Sequence, residues 1–240
     1  MKQDYSKYTK EDFDVWEILA ERQIKNLQDK AHPEYIHCLN QLSDVLNPSE
    51  VPNFDKLNEK LLATHGWSIS VVPGLIPVDQ FFQLLADKKF CSSTWLRNMD
   101  QLDYLEEPDM FHDIFGHIPL LMNKEYSDFV QNIGIMGVRY GHDEEVVKQL
   151  QRLYWFTIEF GLIRYNGDIK LYGAGIMSSS GESDHIFNDE IEVRPYQLSY
   201  ILHQPFITSE IQKVYYEIES FAQLYESVDE LEANMLAQVS

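Results

Sequence analysis

Cysteine is scarce. Cys38 and Cys91 are the only two in 240 residues, so one disulfide is the ceiling and a four-cysteine zinc ribbon is excluded. Basic residues are also few: 19 Lys and Arg face 39 Asp and Glu, a formal net charge of −20. Nucleic acid and anionic membrane surfaces both reward clustered lysine and arginine, so neither is an expected partner. No apolar run approaches the ~20 residues of a membrane span, and the opening "MKQDYSKYTKEDFDVW" lacks the apolar stretch of a signal peptide. These absences predict a soluble, cytoplasmic protein. What the chain does have is 44% hydrophobic and 13% aromatic residues, enough for a sizeable core in one domain.

Phe13, Trp16, Ala20, Ile24 and Leu27 recur at helical steps, and Thr9 with Asp12 has the spacing of a capping box. A first helix is therefore expected near 10–29. His32 and Pro33 interrupt it, and Tyr35, Leu39, Leu42 and Leu46 mark a second helix that should stop before Pro48. Asn53 is placed to cap a third, carrying Leu57, Leu61 and Leu62 to Gly66. "WSISVVPGLIP" (67–77) reads as a short strand and turn, and "VDQFFQLLADKKF" as a further helix. Residues 144–165 form the longest apolar-periodic segment of the second half. "GDIKLYGAGIMSSSGE" (167–182) reads as a β-like run in a loop, "KVYYEIES" as a brief strand, and "SFAQLYESVDELEANML" as a closing helix. The expected fold is mostly α: one catalytic-sized domain over 1–240, packed helices with small β elements.

"EPDMFHDIFGHIPLL" (107–121) places His112 and His117 five apart. In an ideal helix, at ~100° per residue, they diverge by roughly 140°. Gly116 and Pro119 predict that the helix ends between them and that His117 turns back towards His112. A third ligand is offered by Glu159 in "YWFTIEFGL", a carboxylate in an apolar run that is costly unless paired or coordinated. Two imidazoles and one carboxylate form the facial triad that suits non-haem Fe(II) and dioxygen. Zinc is the competing ion, although its His₂Glu sites usually read HExxH, not "HDIFGH". The plain alternatives are two unrelated histidines and a Glu159 ion pair with Arg97, Arg152 or Arg164. Asp113, next to His112, is open between a carboxylate facing a helix N-terminus, a hydrogen-bond acceptor behind the ligands and plain exposed polarity. His32, His37, His65, His142, His185 and His203 have no partner at ligand spacing.

"EPDMFHDIFGHIPLL", "LYWFTIEFGLI" and "YGAGIMSSSGE", in that order, resemble the pterin-dependent aromatic amino acid hydroxylases, the bacterial phenylalanine 4-hydroxylase branch most closely. The resemblance runs through "VWEILAERQIKNL", "NFDKLNEKLLATHGWSISVVPGLIPVDQFF", "STWLRNMDQLDYLEEPD" and "QKVYYEIESFAQL", nearly the whole chain. It implies an aromatic amino acid hydroxylase fold and Fe(II) held by His112, His117 and Glu159. It also implies a tetrahydropterin, tetrahydrobiopterin or a relative, that supplies two electrons for splitting O2. By the same resemblance Arg97 grips the substrate carboxylate, and Gly175 and Ser178 lie near the substrate backbone with Ser179 close behind. Pro108 and Trp155 line the aromatic pocket, Phe81 stacks on the pterin, and Gly74, Leu75 and Ile76 meet it through backbone.

Two positions depart from the animal pattern: Asp113 stands for a glutamate near the pterin, and Leu105 for a threonine near the substrate. Trp155 differs from the phenylalanine usual in tryptophan hydroxylases. The resemblance implies conversion of L-phenylalanine to L-tyrosine, in phenylalanine breakdown or tyrosine supply, by a monomeric catalytic domain with no room for a regulatory or tetramerisation segment. Meta-hydroxylation, tyrosine or tryptophan as substrate, and a non-catalytic pterin or amino acid binder remain open at this point.

Overall fold

The computed structural model describes every residue except 104, 106, 189, 190, 209 and 240. Where local capping signals are strong, the helices start and stop where those signals lie. Helix α1 (Lys10–Leu27) opens on the reciprocal Thr9/Asp12 capping box, which satisfies two otherwise orphaned amides. Helix α2 (Pro33–Gln41) is shorter than its leucine spacing suggests. The chain unwinds into successive turns after Gln41, yet Leu42 and Leu46 stay buried because turn hydrogen bonds continue the spacing. Helix α3 (Phe54–His65) is capped by the Asn53 side chain and closed by Gly66 at φ 76°, a left-handed position that favours glycine.

The "VDQFFQLLADKKF" segment is not one helix. It divides into α4 (Val78–Ala86) and the start of strand β2 (Lys89–Ser92). Lys88 turns the chain at φ 55°, and β2 pairs in parallel with β1 (Ser68–Val71), α4 being the crossover. Helix α5 (Lys124–Tyr140) carries Tyr126, Phe129, Val130, Ile133 and Met136 on its buried face. Gly134 and Gly137 bring it against α4: a Cβ on Gly134 would lie 2.3 Å from the Ala86 amide nitrogen. The close crossing seats Phe82 in the core and turns Phe81 towards a cavity.

Residues 144–165 are likewise three elements. Helix α6 (Glu144–Tyr154) runs into a π turn at Trp155–Glu159 and then strand β3 (Gly161–Tyr165). Strand β4 (Asp168–Leu171) pairs antiparallel to β3. The segment read as a loop then folds into two short helices, α7 (Ala174–Met177) and α8 (Ser180–His185), the latter capped by the Ser179 hydroxyl. Strand β5 (Glu192–Pro195), helix α9 (Leu198–Ile201) and strand β6 (Val214–Ile218) follow. The closing helix is broken at Ser227 into α10 (Phe221–Glu226) and α11 (Val228–Val239). The sheet order is β4-β3-β6-β5, with β6 parallel to both neighbours. The architecture is mostly α with small sheets, as expected, and one hydrophobic cluster runs from Val15 to Met235. Among the described residues no helix is long and apolar enough to cross a membrane. Cys38 and Cys91 are both free thiols.

Candidate metal centre and its cavity

His112 and His117 meet by a different route from the one their spacing suggests. The chain does not leave the helix at Gly116. Residues His112–His117 wind as a π-helix, whose i→i+5 hydrogen bonding widens the turn and sets residue 117 above residue 112. Gly116 serves packing: a Cβ there would lie 2.7 Å from the Ala174 carbonyl oxygen, so its absence lets α7 close against the π turn. The imidazoles face each other edge to face at 5.0 Å, with Nε2 atoms 3.2 Å apart. Glu159 ends the second π turn, closed by the Phe160 amide bonding the Trp155 carbonyl at 2.9 Å. Its Oε1 lies 3.1 Å from His117 Nε2 and its Oε2 3.6 Å from His112 Nε2. The three ligand atoms fall within 4.8 Å of one another, the only such group among the described residues. Glu159 makes none of the alternative ion pairs: Arg97 bonds Asp109, Arg152 bonds Glu145, and Arg164 bonds Glu217.

The supporting bonds determine which nitrogen is free. The Ser178 hydroxyl donates to the Ala174 carbonyl at 2.8 Å, so its oxygen must accept from His112 Nδ1–H, 2.9 Å away. That places the His112 lone pair on Nε2, facing the other ligands. Loss of water contact pushes the His112 imidazole down to about 4, which keeps it neutral, as ligation requires. Burial opposes ionisation of Glu159, but the hydrogen bonds from His117 and the Gly175 backbone N–H help hold the carboxyl below its ordinary value. Nitrogen lone pairs and a carboxylate converging in a half-buried space are the donor set of a divalent cation. His117 is held between Phe90 and Tyr154, at ring separations of 4.5 and 6.3 Å.

The triad lies on the wall of a cavity of about 400 Å³, within the range of small-molecule sites. Gly74, Leu75, Ile76 and Phe81 form one side of it, and Pro108, Asp113 and Trp155 also face it. Asp113 accepts from the Ser93 amide at 2.9 Å, while loss of water contact pushes its carboxyl up to about 7. Four of the expected residues stand behind the wall and do not line it. Ser178 holds His112, Gly175 packs on Phe160 beside Glu159, and Ser179 caps α8. Arg97 makes a two-pronged ion pair with Asp109, Nε and Nη2 each 2.9 Å from a carboxylate oxygen, which leaves Nη1 unbonded among the described residues.

Sequence reasoning missed several wall residues. Tyr154 was within reach, as an aromatic next to Trp155; Phe90, Phe206 and Thr208 come from segments with no local signal.

The sequence profile of the biopterin-dependent aromatic amino acid hydroxylases matches residues 3–239. A phenylalanine-4-hydroxylase from Chromobacterium violaceum is 41% identical over 228 residues, covering 95% of this chain and 76% of the relative. One from Ralstonia nicotianae is also 41% identical, with 95% and 72% covered. A crystal structure of the Chromobacterium enzyme with iron(III) and 7,8-dihydrobiopterin superposes with a TM-score of 0.92 at 40% identity, covering 99% of this chain and 86% of that one. The apo cold-active phenylalanine hydroxylase of Colwellia psychrerythraea gives a TM-score of 0.88 at 35% identity, covering 97% and 90%. Fold, profile and converging donor set agree: the chain belongs to the biopterin-dependent aromatic amino acid hydroxylase family.

Proposed function

We propose that the protein is a phenylalanine 4-monooxygenase that converts L-phenylalanine to L-tyrosine with Fe(II), a tetrahydropterin and O2. The observation that carries this reading is the convergence of His112, His117 and Glu159 on the wall of an aromatic-lined cavity. The names of the relatives supply the substrate. When bound there, iron and the reduced pterin supply oxygen activation; the chain itself supplies binding, orientation and exclusion of water. His112 and His117 present Nε2 and Glu159 presents its carboxylate, with Ser178 fixing the His112 tautomer. Gly74, Leu75, Ile76 and Phe81 take the pterin, with Asp113 beside it. Pro108 and Trp155 flank the substrate ring, and Arg97, aligned by Asp109, receives the substrate carboxylate. Gly175 and Ser179 shape the floor behind Glu159 and Ser178. The same reading makes residues 1–240 a single catalytic domain, acting as a cytoplasmic monomer without nucleic acid.

The test is product analysis. Fe(II)-loaded protein is incubated with O2 and a tetrahydropterin, with phenylalanine, tyrosine and tryptophan in separate reactions. Para-tyrosine from phenylalanine, dependent on both iron and pterin and lost in Glu159→Ala together with bound iron, is the expected result. Meta-tyrosine, a product from another amino acid only, or coupled turnover in Glu159→Ala would overturn it.

A further inference from the structure

Trp155 faces the cavity, and everything around it holds it still. Its indole lies between Phe206, stacked at 4.5 Å and 16°, and Phe160, at 4.6 Å and 39°. Those faces restrain tilt, but rotation in the plane of the ring is left to a single polar contact, the indole Nε1–H donating to Gln212 Oε1 at 3.0 Å. Gln212 is buried and fully engaged. Its amide Nε2 donates to the Ile207 and Glu210 carbonyls, both at 3.0 Å, next to the chain that carries Phe206 and Thr208 to the cavity wall. Its own backbone is fixed too: His185 Nε2 donates to its carbonyl at 3.1 Å, and its N–H donates to the Glu182 carboxylate. Tyr215 donates to that carboxylate at 2.9 Å. The Gln212 side chain thus ties the Phe206 segment to the edge of one cavity-facing indole, while its backbone is anchored on α8.

We propose that Gln212 is a positioning and specificity-determining residue for the aromatic ring of the substrate, acting through the Trp155 indole and Phe206. The proposal rests on the reading that the cavity takes an aromatic amino acid. A glutamine with all its hydrogen-bonding groups satisfied is rigid, and a rigid indole edge is what separates a ring that fits from one that slides. Gln212 touches neither the metal ligands nor the Gly74–Phe81 side of the cavity, so its loss should leave iron and pterin binding unaltered.

The test is the steady-state kinetics of Fe(II)-loaded Gln212→Met, which keeps the volume and removes the hydrogen bonds. The expected result is a rise in KM for phenylalanine of roughly tenfold, the worth of a buried hydrogen bond and its unpaired partner. The kcat, the KM for tetrahydropterin and the iron content should stay within about twofold of wild type by the same reasoning. In a Trp155→Phe background, which lacks the N–H donor, the substitution should change KM far less, as expected of two residues acting through one contact. Gln212→Asn, one methylene short of the indole, replaces Gln212→Met should that variant not fold, with the same expected rise. An unchanged KM for phenylalanine overturns the proposal, as does an equal effect with and without the Trp155 donor. A wild-type protein that makes no product from any aromatic amino acid would instead overturn the functional reading beneath it.

Discussion

Asp109→Ala tests the frame that carries the first π turn. Asp109 is fully buried, and the Arg97 side chain beside it is 9% exposed. The carboxylate accepts four hydrogen bonds: Arg97 N–H at 3.0 Å, Arg97 Nε and Nη2 at 2.9 Å each, and His112 N–H at 3.1 Å. Alanine removes all four acceptors and leaves a guanidinium buried without its counter-charge. Breaking one side of such a pair costs about 3–5 kcal/mol, a large part of the ~5–15 kcal/mol by which domains are stable. The assay is urea denaturation of metal-free, substrate-free protein followed by far-ultraviolet circular dichroism. A midpoint lower by roughly 1–2 M is expected.

The control is a double-mutant cycle. Arg97→Met alone should also be damaging, because it strands the buried carboxylate. The Arg97→Met, Asp109→Ala pair should be milder than either single change, since it buries no unpaired charge. Working without substrate separates this scaffold role from any part Arg97 plays in binding. A loss below about 1 kcal/mol for Asp109→Ala, within the range of an exposed ion pair, would refute the reasoning; so would simple additivity in the double variant.

Gly137→Ala places a Cβ 2.1 Å from Phe82 Cγ, and overpacking of this kind costs about 1–3 kcal/mol. A Tm lower by roughly 5 °C and a weaker pterin KM, through the adjacent Phe81, are expected; an unchanged melting curve would show that α4 and α5 have slack. His32 caps α2 through Nδ1, which accepts from the Glu34 amide at 3.2 Å, and its ring lies edge-on to Tyr165 and Phe221. Burial lowers its pKa below the ordinary 6.5, so the folded protein binds fewer protons than the unfolded chain just below that pH. Stability should therefore rise with pH through the region beneath 6.5 and fall on acidification as Nδ1 is protonated and the cap lost. His32→Asn, a capping residue that does not titrate, should flatten this part of the curve in urea titrations at pH 5.5 and 7.5; an unaltered slope would count against it.

Legibility from sequence follows the distance over which each feature is determined. The ends of α1 and α3 were readable because Thr9, Asp12, Asn53 and Gly66 act within a few residues of themselves. Helix α5 has regular apolar spacing, but Gly134 and Gly137 lower its helix propensity. The reason for those glycines lies in α4, some fifty residues earlier in the chain: its backbone at Ala86 for Gly134 and the Phe82 ring for Gly137. Glu159 stood out because a carboxylate in an aromatic run needs an explanation that local structure does not provide. Phe206 and Gln212 did not, since an aromatic in a loop and a glutamine before a strand are ordinary until Trp155 is placed between them.

The histidine pair is the instructive case, because the ligands were found and their route was not. The 3.6-residue period makes residues five apart look incompatible with one helix, which is why Gly116 was read as a helix end. Both π turns answer the same geometric need. His112 to His117 spans five residues, and so does the Trp155-to-Phe160 hydrogen bond that ends the turn bearing Glu159. The wider turn stacks residues an α-helix would splay apart, and π segments recur at functional sites for that reason. A five-residue spacing of ligands in an otherwise uninterrupted apolar helix is therefore better read as a wider turn than as a break. Glycine inside it then points to a neighbouring backbone pressing close, here the Ala174 carbonyl on the same short helix whose end carries Ser178 to His112.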